Sequence, residues 1–478
     1  MNQLMINKKP LSYFLFSYSL LLILACWVLF PTGDTFYYWQ WSQHLALSYY
    51  DGPPMIAYWL RFFTSLFGHS ILVLNLAGMI CAFLTAFFVY KTAKNVADVS
   101  TAYLAATLWL LSPLVTQDLI VRFTYDSPLN LFWAMTVYFV SCYIQRQRTL
   151  DIYRIGFAIG CMLLSKYTGI ILILGLLSCM VIMPTCRSLL KNVHFYLALL
   201  IIVIMFSPVL IWNIQHQFGS FIYQLNDHKA INLTIMDRIR IVANYILGMI
   251  GNCNFLLLIP LVIGFKYKNQ QSSLVLTMLN IISGVFVLFW LALSAFSYVK
   301  INYMAPFMVS GSILSAYYIM KYNYSKLAVS LISLFLLISI FIIAFNSYLV
   351  GWTGKGSKIA VAQTANQYYV VNNEPIITYG FYSAARMVYW LKGQTIHSLS
   401  CDSQQDNQFA YWDQNFKSEL THKQIKQALY LDFIDHSDCI KQHFATCREL
   451  PIIEYKKPIP FTHKIQAAQM VVYQCSNV

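Results

Sequence analysis

Over residues 11–350 apolar runs alternate with short polar loops, and from residue 351 the pattern changes. Runs near 11–30, 71–90, 101–117, 127–144, 195–212, 241–265, 273–296, 302–320 and 327–350 each approach the roughly 20 residues that cross a bilayer core as a helix. The stretch 155–183 fits neither one upright helix nor two full crossings at about 1.5 Å per residue, and Ser165-Lys166-Tyr167-Thr168-Gly169 lies at its centre. Two short helices joined by a turn that presents Lys166 at membrane depth would account for it. One long tilted helix with Lys166 snorkelling is the alternative. A broken helix is tolerated where its exposed backbone lines a polar cavity. With the break, the pattern predicts about eleven spans, in an all-α polytopic protein of about 11–13 transmembrane helices. Lys8 and Lys9 precede a first run that ends in bulky residues, so it is expected to be a retained helix, not a cleaved leader.

Residues 351–478 are rich in Gln, Asn, Asp, Lys and His. They carry short β-branched runs such as Pro375-Ile376-Ile377-Thr378-Tyr379 and Ala428-Leu429-Tyr430-Leu431, and an amphipathic piece at 382–391. This predicts a small C-terminal α/β domain after a membrane domain of residues 1–350, whose first outer loop is about 31–70.

Composition supports the membrane reading: of 478 residues, 58% are hydrophobic and 10% charged. The net charge of +14 does not indicate nucleic acid, because the basic residues sit in small groups at the ends of apolar runs, as topology signals do. Lys8 and Lys9, Lys91 and Lys94, Arg146, Arg148 and Arg154, Arg187 and Lys191, Lys266 and Lys268, and Lys321 and Lys326 fall on one side, the expected cytoplasmic face. Asp34, Asp51, Asp118, Arg122, Asp126, Lys166, Asp227, Lys300 and the tail fall on the other, provided that 155–183 crosses twice. Of the eleven cysteines, seven lie in or beside apolar runs. Cys401, Cys439, Cys447 and Cys475 lie in the tail, where an oxidising compartment allows two disulfides in three connectivities. Cys439 and Cys447, close in sequence, are the expected pair. No Cys-x-x-Cys or His-Glu-x-x-His spacing indicates a metal set.

The densest candidate chemistry lies in the first outer loop. Gly33-Asp34-Thr35-Phe36-Tyr37-Tyr38-Trp39 and Tyr49-Tyr50-Asp51-Gly52-Pro53-Pro54-Met55 place two acids among aromatics in a nearly charge-free chain. Carboxylates at a membrane surface are costly to dehydrate and mark functional sites. Tyr37, Tyr38 and Tyr50 suit an interfacial belt or a platform for a sugar ring. Asp34, Asp51 and Asp126 with Arg122, Lys166 and Lys300 form an inventory suited to group transfer from a phosphate-linked donor: cations hold the leaving phosphate and a carboxylate takes the acceptor's proton. Asp126, just before Ser127-Pro128, equally fits a helix start.

The run from Asp34 to Met55 resembles the first outer loop of bacterial members of the protein O-mannosyltransferase superfamily, which includes the aminoarabinose transferases that modify lipid A. Thr124-Tyr125-Asp126-Ser127-Pro128 with Leu131-Phe132-Trp133, Leu163-Leu164-Ser165-Lys166-Tyr167-Thr168, Pro208 to Trp212-Asn213, and tail segments Tyr379-Gly380 through Tyr389-Trp390 and Asn407-Gln408 through Trp412 resemble further family features. The resemblance implies a glycosyltransferase-C fold in a bacterial inner membrane, with site and C-terminal domain facing the periplasm. It implies a polyprenyl (undecaprenyl) phosphate sugar donor, inversion at the anomeric carbon, and an acceptor that is lipid A or another envelope glycan. Asp34 matches the family's base or acceptor-orienting acid and Asp51 its second loop acid. Tyr167, Trp212 and Asn213 fall in matched segments as substrate-binding or structural residues. No cofactor is required by this chemistry, and the need for a metal is open. Thr35 stands where the family often has Glu, and Asp51-Gly52 where aminoarabinose transferases have Glu-Lys. The missing lysine removes one phosphate partner, and Lys166 is the expected replacement. A protein O-mannosyltransferase, or a lipid or sugar transporter, are the alternative functions.

Overall fold

A computed structural model describes residues 8–227, 234–252, 262, 273–297, 299–345, 361–364, 367, 374–391, 393–400, 407–458 and 465–477. The membrane domain contains α1 (Lys8–Ala25), α2 (Gly33–Gln43), α3 (Met55–Phe67), α4 (Ile71–Val96), α5 (Val99–Leu111), α6 (Pro113–Val115), α7 (Asp126–Arg146), α8 (Thr149–Ser165), α9 (Ile170–Ile182), α10 (Pro184–Arg187), α11 (Val193–Gln215), α12 (Gly219–Asp227), α13 (Ile235–Asn252), α14 (Leu274–Ser294), α15 (Phe307–Lys321) and α16 (Ser325–Phe345). Among the described residues, α4, α11, α14 and α16 are long and apolar enough to cross a membrane. The pairs Val99–Leu111 with Pro113–Val121 (51°) and Tyr167–Ile182 with Pro184–Lys191 (106°) are equally apolar but sharply bent, the geometry of a broken span or a re-entrant loop.

The other expected crossings are shorter or interrupted, for local reasons. The run at 302–320 becomes helical only from Phe307, because Ile301–Met304 forms a 3₁₀ turn and Pro306 starts the helix. The first run leaves the helix at Ala25, and much of 241–265 lies outside the described residues. The stretch 155–183 is two helices: α8 ends at Ser165, Lys166 is extended, and a 3₁₀ turn over Tyr167–Gly169 leads into α9. Helices α8 and α11 pack backbone to backbone, since a Cβ on Gly156 would lie 2.8 Å from the Ala198 carbonyl oxygen and one on Gly160 2.5 Å from Met205 Cβ. Small residues four apart allow such close approach in lipid, where burial of apolar surface gives helices little reason to associate.

The C-terminal domain follows β1 (Ile376–Tyr379), α17 (Phe381–Trp390), β2 (Ile396–Leu399), α18 (Gln408–Trp412), α19 (Gln414–Thr421), β3 (Gln427–Asp432), α20 (Ser437–Lys441), β4 (Thr446–Glu449), β5 (Ile453–Pro458) and β6 (Ile465–Ser476). The strands form one sheet in the order β2-β1-β3-β6-β4, with β5 also paired to β6. Strand β1 is parallel to β2 and β3, whereas β6 runs antiparallel to β3, β4 and β5. Alternate residues serve two cores, as the period of a strand requires. Ile376, Leu429 and Leu431 join the aromatic cluster of α2 and α3, while Ile377, Ala428 and Tyr430 pack with Phe416, Leu420, Ile440 and Phe444 on the far face. The membrane and C-terminal domains therefore share one core through α2.

The expected Cys439–Cys447 bridge is corrected. Cys447 is bonded to Cys475, 28 positions away, because the two are directly opposed on β4 and β6 with Cα atoms 4.0 Å apart. Cys439 is also disulfide-bonded, but not to Cys447. Non-reducing peptide mapping should recover the 447–475 linkage. Replacing Cys475 with Ser should destabilise the C-terminal domain by about 3–4 kcal/mol, from the loss of loop closure alone, read as an earlier unfolding transition.

Candidate active site

A cavity of about 590 Å³ opens where α2, the Asp51 turn, the segment before α7, the 3₁₀ turn before α15 and the start of α17 meet. Of the residues singled out from sequence, it brings together Asp34, Asp51, Arg122, Asp126, Lys300, Tyr37 and Tyr38. Asp34 lies in the first turn of α2, where a negative side chain complements the helix dipole. Its carboxylate accepts a hydrogen bond from the Tyr382 hydroxyl at 2.7 Å, and Arg122 Nε is 3.8 Å away. Arg122 also faces Asp118 at 3.5 Å. Burial, then the charge of Asp34, raises the Tyr382 phenol above its usual range, so it stays protonated and donates.

Asp51 is held more tightly. It sits in a turn closed by the Tyr49–Gly52 backbone pair, its Oδ2 accepts from the Tyr37 hydroxyl at 2.5 Å, and its carbonyl accepts from Gln224 at 2.6 Å. Tyr37 in turn accepts from the Gln408 backbone N–H at 2.9 Å, and Gln408 Oε1 accepts from the Tyr50 N–H at 2.5 Å. Burial, followed by the Asp51 charge, holds the Tyr37 phenol well above its ordinary value. Thr35 is buried and donates to the Phe123 carbonyl, tying α2 to the segment of chain that presents Arg122.

Lys166 and Asp126 stand differently from expectation. Asp126 opens α7, yet its side chain does not cap the helix. Its Oδ1 accepts from Lys166 Nζ at 2.7 Å and its Oδ2 from Asn302 at 3.1 Å. Lys166 is buried, with its ammonium 4.5 Å from the Tyr125 ring centroid and 4.3 Å from that of Tyr303. It lies behind Asp126, which lines the cavity, and is absent from the cavity wall itself. Lys300, by contrast, is exposed on the wall.

Three more of the expected residues lie away from the cavity. Tyr167 bonds the Ser220 hydroxyl at 2.8 Å and lines a smaller neighbouring pocket. Trp212 stacks on His216, and Asn213 bonds Val209 and Phe221 within its own helix–turn junction. Tyr50 packs against Tyr223 and Tyr411 beside the cavity. Sequence reasoning missed Tyr382 and Arg386 of α17, both on the cavity wall, along with Gln224 and Asn302. For Tyr382 and Arg386 the signals were the resemblance of the Tyr379–Trp390 segment and the amphipathic pattern at 382–391. Among the described residues, no group of three or more His, Cys, Asp or Glu is arranged to hold a metal.

Residues 51–212 match the family described as dolichyl-phosphate-mannose-protein mannosyltransferase, a segment that includes Asp51, Arg122, Asp126 and Lys166 but not Asp34. The crystal structure of ArnT from Cupriavidus metallidurans superposes with a TM-score of 0.69 at 12% identity, covering 98% of both chains. The chain has the glycosyltransferase-C fold. The ArnT structure bound to undecaprenyl phosphate gives 0.67 over the same coverage. The lipid A galacturonosyltransferase RgtD of Rhizobium johnstonii is 29% identical over 184 residues. That match spans 38% of this chain and 38% of the relative. The protein is thus a multi-pass membrane protein whose named relatives transfer sugars.

A buried ion pair that loses one partner strands the other charge, at a cost of about 3–5 kcal/mol. Lys166→Met and Asp126→Asn should each lower the unfolding temperature in detergent, and the double replacement should recover much of the loss. Wild-type stability in both single variants would mean that the pair is solvated.

Proposed function

We propose that the protein is an inverting glycosyltransferase of the bacterial inner membrane. It moves a sugar from an undecaprenyl-phosphate donor to a periplasm-facing acceptor, lipid A or another envelope glycan. The observation that carries this reading is the convergence in one cavity of two loop carboxylates, Asp34 and Asp51, with the cations Arg122 and Lys300. The donor class is supported by the ArnT structure in complex with undecaprenyl phosphate, and the acceptor class by the lipid A relative.

The chemistry follows from the charges. An acceptor hydroxyl attacks the anomeric carbon as the bond from that carbon to the phosphate oxygen breaks. The hydroxyl proton passes to the Asp34 carboxylate, and the electron pair leaves with the polyprenyl phosphate. Arg122 and Lys300 compensate the charge that develops on the leaving phosphate. Lys166 contributes indirectly, by holding Asp126 and the floor of the cavity. Asp51, anchored by Tyr37 and Gln224, orients the loop and the acceptor.

Asp34→Asn preserves size and hydrogen bonding but removes the proton acceptor. Turnover should fall by roughly 100-fold or more while affinity for undecaprenyl phosphate stays near wild type. Labelled donor incubated with lipid A in detergent measures the first and a binding titration the second. Normal turnover in Asp34→Asn together with failure of Asp51→Asn would reverse the two roles. Donor uptake into vesicles without transfer would point to a transporter.

Tyr382 reaches Asp34 from the C-terminal domain. Tyr382→Phe removes one neutral-donor contact to a carboxylate, worth about 1.5–3 kcal/mol. It should lower kcat by roughly 10- to 100-fold with little change in donor affinity.

A further inference from the structure

Arg386 occupies an unusual electrostatic position. It lies one helical turn after Tyr382 on α17, so both side chains leave the same face of that helix. Helix α17 begins directly after parallel strand β1, through Gly380 with φ +76°, in the crevice beyond the carboxyl ends of β1 and β3 where open α/β sheets bind ligands. From there the side chain crosses to the membrane domain. A Cβ on Gly33 would lie 2.9 Å from Arg386 Nη2 and 2.9 Å from Tyr382 Cδ1, so a larger residue at the start of α2 would push these side chains aside.

This places a guanidinium at the amino end of a helix, where the dipole disfavours a cation. Arg386 makes no ion pair within 4.0 Å among the described residues, and its Nε is buried without a hydrogen-bond partner. Asp34, the carboxylate whose charge acts most strongly on Arg386, is already engaged by Tyr382 and Arg122. Burial pulls the guanidinium below its ordinary value, but arginine keeps its charge in proteins. A half-buried cation, a helix amino end and Arg122 together favour an anion in the cavity beside Asp34.

We propose that Arg386 is an acceptor-binding residue: it takes a phosphate of the lipid acceptor and holds that molecule with its nucleophilic oxygen beside Asp34. This rests on the glycosyl-transfer reading above. The acceptor is favoured over the donor because Arg386 comes from the C-terminal domain and sits at the turn that carries the proton-accepting carboxylate. Arg122 and Lys300 come from the membrane domain, which carries the helices that a lipid-linked donor would lie against. The C-terminal domain would then recognise the charged headgroup as well as close the cavity.

The test uses full-length protein in detergent with two probes, bisphosphorylated lipid A and undecaprenyl phosphate, titrated separately. Arg386→Gln should weaken lipid A binding by roughly 10- to 100-fold, the weight of a hydrogen bond to a charged group, with undecaprenyl phosphate affinity within about twofold of wild type. Arg386→Lys should recover part of the loss. Gly33→Ala, which displaces the guanidinium without changing charge, should weaken lipid A in the same direction. Weakened undecaprenyl phosphate with unchanged lipid A would overturn the acceptor assignment, as would unchanged affinity for both or no lipid A binding by the wild type. Transfer is measured separately: Arg386-dependent lipid A binding by a wild type that moves no sugar would remove the transferase reading and keep the contact. Transfer to an acceptor other than lipid A would leave the transferase reading intact and remove this proposal.

Discussion

The Lys166–Asp126 pair joins three of the places where the described membrane helices start or break. Asp126 starts α7, Lys166 occupies the break between α8 and α9, and Asn302, which bonds the same carboxylate, belongs to the 3₁₀ turn before α15. Each break exposes backbone polar groups that a bilayer cannot satisfy, so the breaks are sustainable only where they meet each other or a polar cavity. Lys166 alone would be untenable at that depth. Paired at 2.7 Å and enclosed by the rings of Tyr125 and Tyr303, it becomes part of a neutral, rigid floor. The charge available to a ligand is then set by the walls above it, which carry Asp34, Asp51, Arg122, Lys300 and Arg386.

The second dependence runs through α2. Nearly every residue of this short helix is buried, although its sequence has no apolar stripe to predict a single contact face. One side meets the membrane domain, where Thr35 bonds the Phe123 carbonyl. The other meets α17, where Phe36 lies 4.8 Å from Tyr389 and Tyr37 4.9 Å from Phe381. Aromatic pairs of this kind contribute about 0.5–1.5 kcal/mol each beyond area burial. The hydrogen bonds from Tyr382 to Asp34 and from the Gln408 N–H to Tyr37 cross the same boundary. Removing the C-terminal domain would therefore expose the aromatic layer and release the carboxylate on which the proposed chemistry depends.

A fold shared with ArnT at 12% identity leaves function to the site, because one scaffold accommodates many chemistries through its loops. In this chain Thr35 is buried and makes a structural hydrogen bond, and the cavity cations come from the chain before α7, the turn before α15 and α17.

The sequence alone determined the features that depend on local pattern. Apolar runs predicted the helices, the mismatch in length of 155–183 predicted the break at Lys166, and alternating runs predicted β1 and β3 and the α/β tail. The two loop acids could be singled out because charge is scarce in this chain. The tertiary structure alone decided what each group touches. Lys166 looked like a cation in search of a phosphate, but its partner Asp126 is 40 residues away, a proximity that no periodicity encodes. Cys447 bonds Cys475 because strand register opposes them, while nearness in sequence favoured Cys439. Arg386 and Tyr382 lie in the amphipathic piece at 382–391, and they pack against Gly33, some 350 residues earlier, to reach the cavity. Hydrophobic periodicity fixes which face of an element is buried, whereas long-range pairing of charges and hydroxyls depends on how the elements pack.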